Sequence, residues 1–325
     1  MSGQANKNPV SAHPGNGKAP LLVIVGPTAI GKTDLSLPLA RRFDGEIVSA
    51  DSRLFYRGLD VGTAKPSPAE RAAVPHHLID IAEPDEAMTL GRYQDLAYAA
   101  IDDIQARGRL PILVGGTGQY VMAVVEGWGI PRVAPQPDLR RALRRRGGEE
   151  LHRWLRHLDP QAAQRIHPNN LRRIVRALEV TLVSGRPVTE LQRKRPRPYD
   201  ICIIGLHTER ERLYRRIDER VDRMMAAGLL EETQALRDAG YDPRLPALSG
   251  LGYRQLWEFL EGEMTLQEAV ERIKFETHRF VRHQNNWFKQ DDPRICWFDI
   301  ADDGYEERVR QRVAAWLRLA DSKRQ

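Results

Sequence analysis

The sequence of 325 residues contains only two cysteines and no apolar run near the roughly 18 residues that a membrane-spanning helix needs. Cys202 and Cys296 each lie in an apolar, strand-like run. This scarcity argues against a disulfide framework or a zinc site and favours a reducing compartment, the cytoplasm. Residues 1–20 also lack an apolar stretch and are rich in Gly, Asn, Pro and Ala, so we expect a disordered tail rather than a secretory signal.

The overall composition predicts a soluble globular protein. Hydrophobic residues make up 41% and charged residues 29% of the chain, and the mean hydropathy is −0.52. The length allows about two domains, each with its own core. We therefore expect no membrane partner.

The formal net charge of +6 conceals an uneven distribution along the chain. Residues 131–199 contain 17 Lys plus Arg against 6 Asp plus Glu, a local net charge of +11, so the rest of the chain carries −5. Nearly all of these basic residues are arginine, whose planar fork of donors suits phosphate and can stack on bases. The asymmetry favours a nucleic-acid partner over the alternative, a solvated arginine-rich helical face.

Short apolar runs alternate with longer helical patterns, and each run is followed by a turn that carries Gly or Asp. Runs of this length are typical of buried strands in a parallel sheet covered on both faces, so the predicted class is doubly wound α/β. The predicted strands are Leu21–Val25, Glu46–Ala50, His77–Ile81, Pro111–Val114, Asp200–Leu206 and Arg294–Ile300.

The strand rhythm stops after Val125 and resumes at Asp200. Residues 131–199 have Pro-rich ends and helical patterns between them, and they coincide with the basic segment. We therefore predict a helical, basic insertion at 131–199, within a core formed by residues 21–130 and by residues 200–325 with C-terminal helices. One helical face of the insertion is expected to contain Leu171, Ile174, Val175, Leu178 and Leu182.

A phosphate-binding loop follows the first predicted strand directly and opens a helical pattern. The segment matches the P-loop signature at Gly26, Gly31, Lys32 and Thr33. Such a loop turns backbone N–H groups and a helix N-terminus toward a polyphosphate, and its last hydroxyl can bind Mg²⁺, which makes Thr33 the candidate metal ligand. The expected diphosphate contacts are Gly26, Pro27, Thr28, Ala29, Ile30, Gly31, Lys32 and Thr33.

Two further polar side chains follow the ends of predicted strands, where ligands of open α/β sheets bind. Asp51 comes after the second strand and could accept a proton or hold the water of a metal, although it could also cap the next segment. Thr117, in the segment Gly115-Gly-Thr-Gly118, could donate to a phosphate oxygen, and an ordinary glycine-rich turn is the alternative. His76 and His77 lack Cys or His partners at metal-ligand spacing, so we interpret them as structural.

Together these motifs resemble the tRNA dimethylallyltransferase family, also called IPP transferases, over residues 21–288. Besides the P-loop, the most specific segment is Ser49-Ala-Asp-Ser-Arg-Leu-Phe-Tyr-Arg-Gly-Leu-Asp-Val-Gly-Thr-Ala-Lys65. The other similar segments, in family order, are Pro75-His-His-Leu-Ile-Asp80, Gly115-Gly-Thr-Gly118, Arg172-Arg-Ile-Val-Arg-Ala-Leu-Glu179, Gly228-Leu-Leu-Glu-Glu232, Gly252-Tyr-Arg-Gln255 and Arg282-His-Gln-Asn-Asn-Trp287.

The resemblance implies transfer of a dimethylallyl group from its diphosphate to the exocyclic amine of the adenine 3′ of the anticodon. It also implies that Lys32, Asp51 and Thr117 are catalytic, with Asp51 accepting the amine proton, and that Arg220 contacts the diphosphate beside Mg²⁺. The residues that it implies for binding the tRNA anticodon stem-loop are Asp51, Ser52, Arg53, Leu54, Arg172, Arg173, Arg176, Gly252, Tyr253, Arg254, Gln255 and Gln284.

Two other enzyme classes remain as alternatives to this function. One is a P-loop small-molecule kinase in which Asp51 activates a hydroxyl group. The other transfers the isopentenyl group to free adenine nucleotides. Neither alternative requires a basic helical insertion, so residues 131–199 discriminate against both. We expect the enzyme to work as a monomer.

Overall fold

The computed structural model describes residues 18–322, with side chains to residue 320, so residues 1–17 of the predicted tail lie outside the described part. The six strands in this range are β1 Ala19–Val25, β2 Gly45–Ser49, β3 His76–His77, β4 Leu110–Gly115, β5 Tyr199–His207 and β6 Ile295–Asp299. The fourteen helices there are α1 Lys32–Arg42, α2 Pro68–Ala73, α3 Leu90–Ala106, α4 Gly118–Val125, α5 Pro137–Arg144, α6 Gly148–Leu158, α7 Pro160–Arg165, α8 Leu171–Ser184, α9 Val188–Leu191, α10 Arg210–Ala226, α11 Leu229–Asp238, α12 Tyr253–Leu260, α13 Leu266–Gln284 and α14 Tyr305–Ser322. Over the described range, no helix has both the length and the apolar character needed to cross a membrane.

All six strands form one parallel sheet in the order β3-β2-β4-β1-β5-β6. Strand β1 is central, and its residue Val23 pairs with Leu113 of β4 and Ile203 of β5. Leu22, Val23 and Ile24 are fully buried, as expected for the middle of a parallel sheet covered on both faces. The predicted α/β class is therefore confirmed, and the carboxyl ends of all strands lie at one edge.

Five predicted strands are confirmed to within two residues at each end, but the predicted strand His77–Ile81 is wrong beyond His77. Leu78 and Asp80 adopt the left-handed conformation, with φ of 62° and 55°, which ends the strand. The Asp80 carboxylate accepts hydrogen bonds from Lys65 at 2.5 Å and Arg71 at 2.6 Å. These side-chain contacts hold the segment as a loop despite its apolar composition.

Residues Met122–Arg197 form a compact unit with a core of their own. The α8 side chains of Ile174 and Leu178 are fully buried in this core, together with Leu151 and Leu155 of α6. Leu182, predicted on the same face of α8, is instead 46% exposed. It lies one turn beyond Leu178 near the end of the helix, where the buried stripe stops.

A fully buried carboxylate, Glu179 of α8, lies in this unit. It accepts hydrogen bonds from Arg140 at 2.8 Å, from Arg176 at 2.5 Å and from the backbone N–H of Gln136 at 2.6 Å. Burial alone would raise its pKa, but the hydrogen bonds from Arg140 and Arg176 lower the pKa of Glu179 to about 2. Arg176 also donates to the carbonyl of Val133 at 2.9 Å, so its donors are engaged within the unit.

Candidate active site

The segment from Gly26 to Thr33 joins the carboxyl end of β1 to the start of α1, as the P-loop signature predicts. The Lys32 side chain folds back over the loop, where its Nζ donates to the carbonyls of Gly26 at 3.0 Å and Pro27 at 2.7 Å. No side chain caps the N-terminus of α1. Its first backbone N–H groups and the Lys32 charge are therefore available to an anion.

The pKa of the Lys32 ammonium group is shifted strongly from its ordinary value. Burial lowers the pKa of its ammonium group from 10.5 to about 8, with Asp51 opposing the shift and Arg220 adding to it. Because an unpaired cation in low dielectric favours the neutral form, an arriving anion would raise the pKa again. The loop is thus electrostatically prepared for a negatively charged ligand.

Two long side chains from distant helices fix the backbone of the loop. Gln284 of α13 accepts the N–H of Thr28 at 2.9 Å and donates to the carbonyl of Gly116 at 2.9 Å. Arg216 of α10 donates from Nε to the carbonyl of Ala29 at 2.8 Å. Both ends of the Gln284 amide are therefore bound to backbone groups, and the side chain is only 7% exposed. Its side chain joins the P-loop to the end of β4, and Gln284 also lines the cavity described below, so its predicted contact with tRNA stays a prediction.

Strands β2 and β4 approach closely at their carboxyl ends. A Cβ atom on Gly115 would lie 2.3 Å from the carbonyl oxygen of Ala50, so only glycine fits there. This approach brings Asp51 and Thr117, which follow the two strands, to the same place. The Thr117 hydroxyl accepts the N–H of Ser52 at 3.4 Å.

Asp51 is half-buried, and one of its oxygens is already occupied. Its Oδ1 accepts the N–H of Arg53 at 2.9 Å, which closes a local turn and fixes the carboxylate. Among the described residues, Oδ2 has no hydrogen-bond partner. That oxygen can accept a proton from a ligand.

Arg220 of α10 brings a second cation to the P-loop, and its Nη2 donates to the carbonyl of Thr63 at 3.2 Å. Burial lowers the pKa of Arg220, with Asp51 opposing and Arg223 reinforcing the shift. The guanidinium remains charged because the unperturbed value is so high. Arg216, which the sequence analysis did not single out, precedes Arg220 by one helical turn, and the i, i+4 spacing of the two arginines is a signal that could have indicated it.

These groups line one cavity of about 740 Å³. The sequence-predicted residues in its wall are Thr28, Ala29, Lys32, Asp51, Ser52, Arg53, Thr117, Arg220, Gly252, Tyr253, Arg254 and Gln284. Predicted residues of the same part of the chain that do not line it are Gly26, Pro27, Ile30, Gly31, Thr33, Leu54 and Gln255. Around the P-loop the cavity wall combines the cations Lys32 and Arg220 with the Asp51 carboxylate and the Thr117 hydroxyl, and its volume is within the range of small-molecule sites.

Two predicted tRNA contacts, Tyr253 and Gln255, are buried. The Tyr253 hydroxyl donates to Glu232 at 2.6 Å, and its ring is 1% exposed. Gln255 is fully buried, accepts the N–H of Gly252 at 3.0 Å and donates to Glu276 at 3.0 Å. Their side chains support the loop around Gly252 through these hydrogen bonds, and their predicted contacts with RNA stay predictions.

Four other predicted tRNA contacts are arginines, which differ in their partners and exposure. Arg53 donates to the carbonyl of Ala247 at 3.1 Å, and Arg254 pairs with Glu276. Arg172 and Arg173 belong to the Met122–Arg197 unit and are exposed.

For Mg²⁺, the donor set of the site is suitable but incomplete. The described residues contain no group of three or more His, Cys, Asp or Glu side chains that could enclose a metal. Mg²⁺ commonly keeps several waters and takes its other ligands from substrate phosphates and one or two protein oxygens. Thr33 carries such an oxygen at the last position of the P-loop, beside Lys32 although not in the cavity wall itself, and the cation could arrive with a diphosphate.

A P-loop at the carboxyl edge of a parallel sheet, with a fixed carboxylate in the same cavity, defines a P-loop enzyme that acts on a polyphosphate or diphosphate ester. The family model for IPP transferases matches residues 54–291. The chain is 59% identical over 275 residues to the tRNA dimethylallyltransferase of Roseiflexus castenholzii, covering 83% of this chain and 90% of that relative. It is 49% identical over 307 residues to that of Thermomicrobium roseum, covering 93% of each. This chain belongs to the IPP transferase family.

Solved structures agree with this assignment. The tRNA isopentenylpyrophosphate transferase of Bacillus halodurans is 39% identical, with a TM-score of 0.71, over 94% of this chain and 99% of that one. A eukaryotic dimethylallyltransferase acting on tRNA is 27% identical, with a TM-score of 0.82, over 95% of this chain and 81% of that one. The resemblance expected from the ordered motifs is confirmed.

Proposed function

We propose that this enzyme transfers a dimethylallyl group from dimethylallyl diphosphate to the exocyclic N6 amine of the adenine 3′-adjacent to the anticodon in tRNA, releasing diphosphate. The observation that carries the proposal is that Lys32, Arg220 and Asp51 line one cavity in a chain of the IPP transferase family. The two cations suit the diphosphate, and the carboxylate suits the proton of the amine.

On the donor side, the diphosphate leaves as the C–O bond to the allylic carbon breaks. Charge then accumulates on the leaving oxygen, where the loop amides, Lys32 and Arg220 stabilise it. Fixed donors are effective here because they need no reorganisation during the reaction, and the bonds from Gln284 and Arg216 hold the loop in advance. Mg²⁺ bound through Thr33 would supply further charge neutralisation of the diphosphate.

On the acceptor side, the N6 amine forms the new N–C bond and becomes acidic. Asp51 Oδ2 takes the amine proton, while Oδ1 remains bound to the N–H of Arg53 and so keeps the carboxylate in place. Thr117, beside the Asp51–Ser52 turn, contacts the reacting groups. An aromatic amine is a weak nucleophile, so its alignment with the allylic carbon contributes much of the acceleration.

For the RNA, we propose that residues 131–199 form a tRNA-binding domain whose exposed arginines Arg172 and Arg173 contact phosphates. Ser52, Arg53, Leu54 and the loop at Gly252 and Arg254 would meet the anticodon stem-loop near the cavity. The target adenine is unpaired, so it can leave its stack at low cost and enter the cavity. We further propose that the enzyme works as a monomer in the cytoplasm.

One assay tests the proposal and separates it from both alternatives. Purified protein is incubated with labelled dimethylallyl diphosphate and unmodified tRNA, and the tRNA nucleosides are then analysed. We expect label on the N6 amine of one adenosine, with one diphosphate released per transfer and no ATP consumed. ATP hydrolysis coupled to modification would support a kinase instead, and faster labelling of free adenine nucleotides would support the other alternative.

A further inference from the structure

Glu232 of α11 accepts four hydrogen bonds from two segments that are distant in sequence. Its Oε2 accepts the backbone N–H groups of Asp60 and Val61, both at 2.8 Å. Its Oε1 accepts the N–H of Gly62 at 3.0 Å and the hydroxyl of Tyr253 at 2.6 Å. Three motifs of the sequence, which contain residues 60–63, 228–232 and 252–255, therefore meet at one carboxylate.

The 60–62 segment packs closely against the side chains around these hydrogen bonds. A Cβ atom on Gly62 would lie 2.5 Å from Cζ of Tyr253 and 2.8 Å from Cδ1 of Leu229. Tyr253 and Leu229 are both 1% exposed, so the contact lies in the protein interior. Only glycine fits at position 62 in this packing.

The segment leads directly to a cation of the site. Thr63 follows Gly62, and its carbonyl accepts the hydrogen bond from Arg220 Nη2 at 3.2 Å. Gly62, Thr63, Tyr253 and Arg220 all line the cavity, whereas Glu232 does not. Glu232 thus touches the site only through the residues that it holds.

We propose that Glu232 is a positioning residue that fixes the 60–63 segment and, through the carbonyl of Thr63, aims the Arg220 guanidinium at the diphosphate. This inference rests on the proposed function, in which Arg220 meets the diphosphate in this cavity. A purely structural Glu232 would affect stability and leave diphosphate affinity unchanged. The distinction can therefore be measured.

The chemistry of the contact specifies the informative substitution. Four donors surround two oxygens, so both oxygens must be acceptors, as only a carboxylate provides. In Glu232→Gln, the amide nitrogen cannot accept, so at least one backbone N–H of residues 60–62 would lose its hydrogen bond. Displacement of a positioned group by about 1 Å can cost on the order of 100-fold in rate. We expect a roughly 10-fold weaker affinity for inorganic pyrophosphate in Glu232→Gln and an unchanged affinity for tRNA.

A double-mutant cycle tests whether the effect passes through Arg220. Pyrophosphate affinity of the full-length protein is measured by calorimetry for wild type, Glu232→Gln, Arg220→Ala and the double variant. If Glu232 acts by aiming Arg220, its substitution changes affinity less than about 2-fold once Arg220 is absent. An equal loss in both backgrounds, or a loss of tRNA affinity alone, would overturn the proposal.

Matched variants distinguish an effect of Glu232 on pyrophosphate binding from effects of Tyr253, of misfolding or of Arg220. Glu231→Gln, on the exposed neighbouring residue, should behave as wild type. Tyr253→Phe removes one of the four donors and should weaken pyrophosphate binding less than Glu232→Gln; an equal loss would assign the effect to Tyr253 and refute the role of the segment. If Glu232→Gln does not fold, Glu232→Asp enters the same cycle. If Arg220→Ala itself leaves pyrophosphate affinity unchanged, the assignment of Arg220 fails, and the inference fails with it.

Discussion

Arginines in the two compact units are held in different ways. In the α/β unit, Arg216 and Arg220 donate to the backbone carbonyls of Ala29 and Thr63, next to the P-loop. In the helical unit, Arg172 and Arg173 are exposed, and their side chains have no hydrogen-bond partner among the described residues. Fixed charges suit a developing charge at one position, whereas solvated charges suit the many phosphates of an RNA backbone.

Within the helical unit, Arg176 resembles the arginines of the α/β unit rather than its neighbours on α8. It is half-buried and bound to Glu179 and to the carbonyl of Val133. The arginines therefore fall into two groups by their contacts, and Arg176 belongs with Arg216 and Arg220 although it lies in the helical unit. It predicts large, specific effects for fixed groups and small, salt-dependent effects for solvated ones.

The largest effect is expected at Asp51. Asp51→Ala should lower turnover by about 10²–10⁴-fold, as for loss of a general base, with tRNA affinity within a few-fold of wild type. Asp51→Asn is the sharper variant, because its amide oxygen can still accept the N–H of Arg53 and keep the turn. Single-turnover rates and tRNA binding measure the two quantities. Near-normal turnover of Asp51→Asn would remove this residue from proton transfer.

Lys32→Ala should weaken dimethylallyl diphosphate binding by about 10–100-fold, since hydrogen bonds to charged groups contribute about 1.5–3 kcal/mol. The pH dependence sharpens this prediction. Because the pKa of Lys32 is about 8 without ligand, the ammonium form is present below pH 8 and is lost above it. The advantage of wild type over Lys32→Ala in binding should therefore be full below pH 8 and decline above it.

Pyrophosphate affinities measured across this pH range check the prediction, and the titration of the ligand is common to all variants. Lys32→Arg serves as the control, because a guanidinium stays charged throughout. A wild-type advantage that stays constant to pH 10 would mean that the ammonium pKa is not lowered.

A smaller effect is expected at Gln284, which joins Thr28 to Gly116. Gln284→Ala frees the P-loop on this side, and we expect the KM for dimethylallyl diphosphate to rise about 10-fold, because positioned groups lose their alignment. The tRNA affinity should change less than about 2-fold. Asn285→Ala, at an exposed neighbour, is the matched control. The opposite pattern, a loss of tRNA affinity alone, would assign Gln284 to RNA binding instead.

The smallest effect is expected from the solvated arginines. Replacing both Arg172 and Arg173 by Ala should weaken binding of every tRNA several-fold and flatten log affinity against log salt by up to about two phosphate contacts. Dimethylallyl diphosphate binding should not change. An unchanged salt slope in a folded variant would exclude the phosphate contacts.

Arg176→Ala tests whether an arginine of α8 that is bound within the protein supports stability rather than RNA binding. Glu179 would remain buried with one arginine instead of two, so stability should fall by about 1–3 kcal/mol. The salt slope of tRNA binding should stay close to that of wild type. A large change in slope without a lower melting temperature would show that Arg176 grips RNA as its neighbours do.

Sequence patterns predicted the strands well where local composition and burial agree. The core strands are continuous apolar runs, and such runs have few other places in a folded chain. The pattern failed at residues 78–81, where the apolar composition is similar but Lys65 and Arg71 bind Asp80 and hold a loop. It failed again at Leu182, because periodicity does not indicate where a helix leaves the core.

The residues of the candidate site also fall into two groups, those whose roles the sequence indicated and those whose roles it did not. The P-loop and the strand-end positions of Asp51 and Thr117 follow from local sequence, since parallel strands place their carboxyl ends at one edge. Gln284, Gln255 and Tyr253 look like surface polar residues in the sequence, yet their side chains bind buried backbone and carboxylate groups. A sequence motif marks such residues without indicating which way they point.

The sequence by itself determined the parallel α/β core, the phosphate-binding loop and the basic character of residues 131–199, because short-range spacing and composition encode each of them. The family followed from the resemblance of its ordered motifs to known members. Only the tertiary structure decided which polar side chains support the site and which can meet a ligand. Glu232 and residues 60–62 are about 170 positions apart in the chain and share one carboxylate. Such pairings depend on how helices pack, and hydrogen bonds between distant segments leave no periodic signal along the chain.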